Sequence, residues 1–151
     1  MENKSLTVTI ELAKPAQEVF SCLTSQAANW WGGKDLSGGN ARLHDEFVIH
    51  HPGAHYSKQK VVEFVAGQKW VWLVTDSKLD WLQNNKSEWT NTKMIFELEA
   101  QGEHCLLHFT HQGLVPELEC YPLVEKGWNT VIRDYLFNYV TEGKIAEALY
   151  R

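Results

Sequence analysis

His111-Gln112-Gly113-Leu114 is the stretch on which the reading of the fold turns. Before it, Leu107, Phe109 and His111 fall on one phase of an alternating run; after it, Tyr121, Val124, Trp128, Val131, Ile132, Tyr135, Leu136 and Tyr139 recur at spacings of three and four. Alternation is the pattern of a strand with unlike faces, and the wider spacing is that of an amphipathic helix. The change of period at Gly113 therefore marks the last strand of a sheet and the approach to one long helix. That helix can bury its apolar stripe only by lying across the sheet, and space left beneath it becomes a cavity. Trp128, beside Gly127, either touches an occupant of that cavity or fastens the helix to the sheet. Pro122 suits the first helical turn, and Gly143 stands where the helix ends or is interrupted. Ile145, Ala146, Leu149 and Tyr150 either continue it or fray.

Working back toward the N-terminus, Leu6, Val8, Ile10 and Leu12 alternate with Ser5, Thr7, Thr9 and Glu11, the cleanest strand pattern in the chain. Lys14-Pro15 ends it, and Ala16, Val19, Phe20 and Leu23 predict a short helix, with a further turn over Ser25 to Trp31. The four glycines of Gly32 to Gly39 read as a mobile loop at the mouth of the cavity, without the spacing or the strand-helix context of a dinucleotide cradle. Strands are expected over Leu43–His50, Lys58–Val65, Lys69–Thr75, Thr92–Glu99 and His104–His111, broken at Pro52-Gly53, Ala66-Gly67, Asp76–Asn85 and Gln101-Gly102. Short connections favour antiparallel neighbours. The expectation is an α+β fold: a curved antiparallel sheet of about six strands around a long C-terminal helix, with short helices after the first strand.

Composition narrows the classes. The 151 residues suit a single domain, and 44% hydrophobic with 22% charged residues is ordinary for a globular chain. A formal charge of −5 with scattered Lys and Arg lacks the footprint of a nucleic-acid binder. No apolar run approaches the roughly 20 residues of a membrane span, and the N-terminus shows no signal core, so a cytoplasmic location is expected. Cys22, Cys105 and Cys120 are distant from one another and odd in number, which favours reduced thiols.

Pro15-Ala16-Gln17-Glu18-Val19-Phe20, Trp30-Trp31, Phe96-Glu97-Leu98, the run Leu107 to Leu114 and Gly127-Trp128, in this order over nearly the whole chain, resemble the START-like (SRPBCC, pollen-allergen-like) superfamily. The branch most resembled is the one similar to the C-terminal domain of the activator of the heat-shock-protein-90 ATPase. The resemblance implies a helix-grip fold around an apolar cavity in a superfamily that includes lipid carriers, hormone receptors, polyketide cyclases and chaperone activators. The full-length activator also carries an N-terminal domain for which this chain has no room, so a complete co-chaperone role is not expected.

Seven Trp, six Phe and five Tyr supply much of the apolar surface. On the inward phase of their strands, Phe47, Phe64, Phe96 and Phe109 would face Trp128 and Tyr135 of the helix, making them candidate ligand contacts. Trp31 and Trp72 complete that set with His111, although the strand carrying Trp70 and Trp72 is apolar on both phases and its inward side is open. Trp81 and Trp89 bracket a polar stretch and mark either a partner surface or packing over the sheet edge. His111 is the weak candidate for acid–base work, with Glu46 and Glu97 behind it; an inward His serves equally as a hydrogen-bonded core residue. His50 with His51, and His108 with His111, point to opposite faces of a regular strand, so no metal site is expected. No cofactor is expected either. The leading functional expectation is non-catalytic binding of a small hydrophobic or amphipathic ligand. Its alternatives are a chaperone-ATPase interaction module and a cyclase-like or hydrolase-like enzyme.

Overall fold

The computed structural model describes residues 4–146. Seven strands form one antiparallel sheet in the order β1-β7-β6-β5-β4-β3-β2: β1 Leu6–Leu12, β2 Leu36–Gly38, β3 Glu46–His51, β4 His55–Val65, β5 Lys69–Leu79, β6 Lys93–Gln101 and β7 His104–Gln112. The expected phases hold. Leu6, Val8, Ile10 and Leu12 are buried while the residues between them are exposed, and β7 buries Cys105, Leu107, Phe109 and His111. The first and last strands lie side by side, with Val8 opposite Phe109 and Leu6 opposite His111.

One strand joins the six expected. The glycine-rich run read as a mobile loop instead makes a short 3₁₀ turn, Gly33–Asp35, and the edge strand β2 against β3. Its glycines are needed for close approach: a Cβ on Gly38, which has φ of 102°, would stand 2.5 Å from the Glu46 carbonyl oxygen. β5 also runs to Leu79, four residues past the expected break at Thr75, because Ser77 and Leu79 keep the inward phase and pair with β4.

The Trp70–Trp72 ambiguity is resolved by packing: both rings are fully buried in the central cluster, whereas Val71 is buried on the other face. Register shifts between Lys58 and Gln59 and between Val61 and Glu63 bend β4 against β5 and help the sheet curve.

The helix α1, Ala16–Leu23, buries Ala16, Val19, Phe20 and Leu23. After β7 the chain enters one continuous helix whose segments are α over Tyr121–Thr130, π over Val131–Leu136 and α over Phe137–Glu142. Val124, Trp128, Ile132, Leu136 and Val140 are buried at strict steps of four, with Val131 buried beside them. In an α-helix such a row drifts around the axis, since four residues exceed the 3.6-residue turn; the wider π turns pull the row back over the sheet. Gly143, with φ of 70°, closes the helix as a left-handed cap. Lys144 to Ala146 are not helical, and Leu149 and Tyr150 lie outside the described residues.

Candidate functional site

Most of the space between helix and sheet is filled by rings. Trp70 meets Trp72 edge-on at 4.7 Å between centroids, Phe96 lies 4.9 Å from Phe109, and Phe47 meets Trp72 edge-on at 4.9 Å. Trp30 closes the layer against Phe96 at 5.9 Å. The strand-borne rings are held by pleat and cross-strand register, so their mutual spacing leaves them close-packed.

An open pocket of about 320 Å³ remains toward the N-terminal half of the long helix. Four tryptophans form much of its wall: Trp31 from the segment after α1, Trp81 and Trp89 from the β5–β6 connection, and Trp128 from the helix. The helix adds Leu123, Val124, Gly127 and Val131. Three of the rings are aligned. Trp128 stacks on Trp31 at 5.4 Å with planes 27° apart, and on Trp89 at 6.4 Å with planes 14° apart. Gly127 keeps the helix surface low beside them, because a Cβ there would have no neighbour within 4 Å.

The β5–β6 connection is tied to the approach to the helix by two reciprocal clamps. The Glu119 carboxylate accepts the backbone N–H groups of Gln83 and Asn84 at 2.9 and 3.0 Å. The Glu88 carboxylate accepts those of Cys120 and Glu119 at 2.9 and 3.2 Å. The bonds to Gln83 and Asn84 hold the Glu119 carboxyl below the usual carboxylate range. Each carboxylate reaches into the other segment, so the pocket walls carrying Trp81, Trp89 and Leu123 are joined.

His111 lies behind Trp128. The indole N–H of Trp128 donates to His111 Nδ1 at 3.1 Å, which leaves the proton of a neutral ring on Nε2, facing Thr92 Oγ1 at 2.8 Å. The Thr92 hydroxyl in turn donates to the Trp89 carbonyl at 2.6 Å. This chain uses both ring nitrogens and links helix, sheet and pocket wall. Burial pushes the His111 pKa down to about 3, holding the ring neutral. The same cause, opposed in part by Asp35, pushes His55 down to about 4, and His55 lies edge-on to Trp89 at 5.1 Å.

Of the nine residues named from sequence, Trp31 and Trp128 line the pocket. Phe47, Trp72, Phe96 and Phe109 are buried in the ring layer behind it, and His111 is in the hydrogen-bond chain. Phe64 is at the far side, edge-on to Phe20 at 5.3 Å, and Tyr135 packs half-buried on the core from the π segment. Glu46 and Glu97 are exposed. Trp81, Trp89, Leu123, Val124, Gly127 and Val131 were not among the nine; the two tryptophans bracketing an otherwise polar connection were the available signal.

Other reactive groups are engaged elsewhere. His51 Nδ1 contacts Asp35 Oδ2 at 2.9 Å, and His55 Nε2 contacts Ser57 Oγ at 2.8 Å. Among the described residues no three His, Cys, Asp or Glu side chains are grouped to hold a metal. The three cysteines are free, and burial together with Glu88 pushes the Cys120 thiol up to about 12. Among the described residues no helix is long and apolar enough to cross a membrane.

No family model matches this chain, and no curated protein matches it by sequence. Solved structures do share its fold. The Aha1 dimer from Colwellia psychrerythraea aligns with a TM-score of 0.73 at 18% identity, over 93% of this chain and 98% of that one. PFC0360w, an HSP90 activator from Plasmodium falciparum, aligns at 0.62 and 18% identity over 90% and 93% of the two chains. DynU16, from the dynemicin biosynthetic locus, aligns at 0.71 and 14% identity over 99% of this chain but 52% of its own. The sheet and its long helix have the helix-grip arrangement expected from the sequence, a fold shared with these structures.

Proposed function

We propose that this protein binds a small apolar or amphipathic molecule in the tryptophan pocket without transforming it. The observation that carries this reading is the wall itself: four indoles and an aliphatic helix face around about 320 Å³, with no titratable side chain among the lining residues. Such a wall offers area and ring faces for contact, and stacked indoles hold planar or extended apolar groups without a reacting group. His111 supports the reading, because an imidazole whose two nitrogens are occupied behind Trp128 has no free position from which to exchange a proton with an occupant.

Titration with naphthalene and with decanoate tests it. Amide and indole NMR signals of Trp31, Trp81, Trp89 and Trp128 should move together on binding, and Gly127→Leu should abolish the shifts while leaving the rest of the spectrum in place. No response to either probe would overturn the reading.

A second reading comes from the fold neighbours described as Aha1 and an HSP90 activator. Leu123, 61% exposed at the pocket rim, supplies an apolar contact that a chaperone partner would cover. Under this reading, Leu123→Asp would eliminate stimulation of the host chaperone's ATPase. An ATPase assay with that chaperone showing neither binding nor stimulation would reject it.

A further inference from the structure

Behind the pocket the interior is not wholly apolar. Gln59 is fully buried on β4, and neither its Nε2 nor its Oε1 has a hydrogen-bond partner. The indole N–H groups of Trp72 and Trp89 are also buried and unpartnered. An unpaired buried amide or N–H keeps its desolvation cost, so Gln59 and Trp72 on one inner face of the sheet are unfavourable as mere filling.

Two of them share one place on the sheet. Gln59 stands opposite Phe47 on β3 and opposite Val74 on β5, while Val61, two residues along on the same face, stands opposite Trp72. Gln59 and Trp72 are therefore diagonal neighbours on adjacent strands, with backbones about 7–8 Å apart. Trp31 covers Trp72 from the pocket side, stacked on it at 5.2 Å with planes 28° apart, and itself lines the pocket. Trp89 lines the pocket directly. Trp31 is followed by Gly32, whose φ of 80° places a left-handed pivot next to the ring.

We infer that the pocket continues past the Trp31 ring to an inner polar subsite, made by the Gln59 amide and the Trp72 indole N–H, which takes a neutral carbonyl or hydroxyl oxygen of an otherwise apolar ligand. This deepens the binding reading above and rests on it. The donors outnumber the acceptors, two N–H-bearing groups against one carbonyl oxygen, so the matching ligand atom is an acceptor. It is neutral because no cationic side chain accompanies these groups among the unpartnered ones, and an unpaired carboxylate carried to this depth would keep its full desolvation cost.

The test uses a matched pair of probes, 1-indanone and indane, which differ by the carbonyl oxygen. With the ¹⁵N-labelled protein, 1-indanone should shift the indole N–H signal of Trp72 and the side-chain amide of Gln59. Indane should shift only pocket-wall signals such as that of Trp81. Gln59→Leu keeps the volume and removes the amide; it should lower the indanone-to-indane affinity ratio about tenfold and leave indane binding unchanged. Trp72→Phe, which keeps a ring but removes the N–H, should lower the same ratio. An unchanged ratio in both variants, or Gln59 and Trp72 signals that contact only water when both probes are bound, would overturn the inner subsite while leaving the pocket reading intact. Failure of both probes to bind would overturn the two together.

Discussion

The ring layer on the sheet and the tryptophan pocket beside it are built from the same kind of side chain, yet one is closed and the other open. In the layer, the rings of Trp70, Trp72, Phe96 and Phe109 project from neighbouring strands, and pleat and register bring them into edge-on and tilted contact at 4.7–5.2 Å. In the pocket, Trp31, Trp81, Trp89 and Trp128 come from three separate connections or helices. The planes of Trp31, Trp89 and Trp128 align, and Gly127 leaves open space beside them. Aromatic content alone thus does not decide between core and site. The backbone that carries the rings does.

The largest effect should come from the closed side. Trp70→Ala removes a fully buried indole and its 2.8 Å bond to the Asn40 carbonyl, so a loss of about 3–5 kcal/mol is expected in urea unfolding. Trp81→Ala, at the half-buried pocket wall, should weaken probe binding while changing stability by less than about 1 kcal/mol. If the two variants lost equal stability, the contrast between layer and pocket would fail.

Acid should act through the junction of the two regions. His111 is neutral in the fold down to about pH 3, whereas the unfolded chain takes up its proton near 6.5. His55 follows the same sign with a folded value of about 4. Between these limits the unfolded state binds more protons, so stability is full above about pH 6.5 and falls as pH drops toward 4, by up to about 1.4 kcal/mol per pH unit for each histidine. His111→Gln should be less stable at pH 7, by about 1–3 kcal/mol for the broken chain to Trp128 and Thr92, and should show a shallower acid limb. Urea midpoints at several pH values measure both, and an unaltered limb would remove His111 from the account.

Smaller changes address the pocket walls. Glu88→Ala frees the N–H groups of Glu119 and Cys120 and should cost about 1 kcal/mol, with faster hydrogen exchange across residues 81–89. Gly127→Ala should have the smallest effect and the opposite sign, stabilising by about 0.5–1 kcal/mol, since Ala favours the helix and its Cβ meets nothing. Probe affinity should nevertheless fall in Gly127→Ala. A gain in stability with no loss of binding would show that the low helix surface at Gly127 is not part of the site.

Much of the fold was legible because period is a local property. Leu6 to Leu12 and Leu107 to His111 announce their buried faces by alternation, and the helix from Tyr121 announces its stripe by threes and fours. The edge strand β2 was not legible, since four glycines in eight residues carry no alternation and its pairing depends on close approach to β3. The candidate site was legible only at Trp31 and Trp128. Trp89 could not be assigned from its polar neighbours, because the burial of its ring depends on Trp128, 39 positions away, stacking against it.

The amino-acid sequence by itself determined the element order, the inward phase of most strands and the need for a helix laid across the sheet, all consequences of side-chain periodicity along one chain. Only the tertiary structure decided where the interior stays open, which face Trp70 and Trp72 take, and that His111 is a neutral link between Trp128 and Thr92. Those outcomes depend on distances between residues remote in sequence, and a cavity is what remains after all such distances have been satisfied at once.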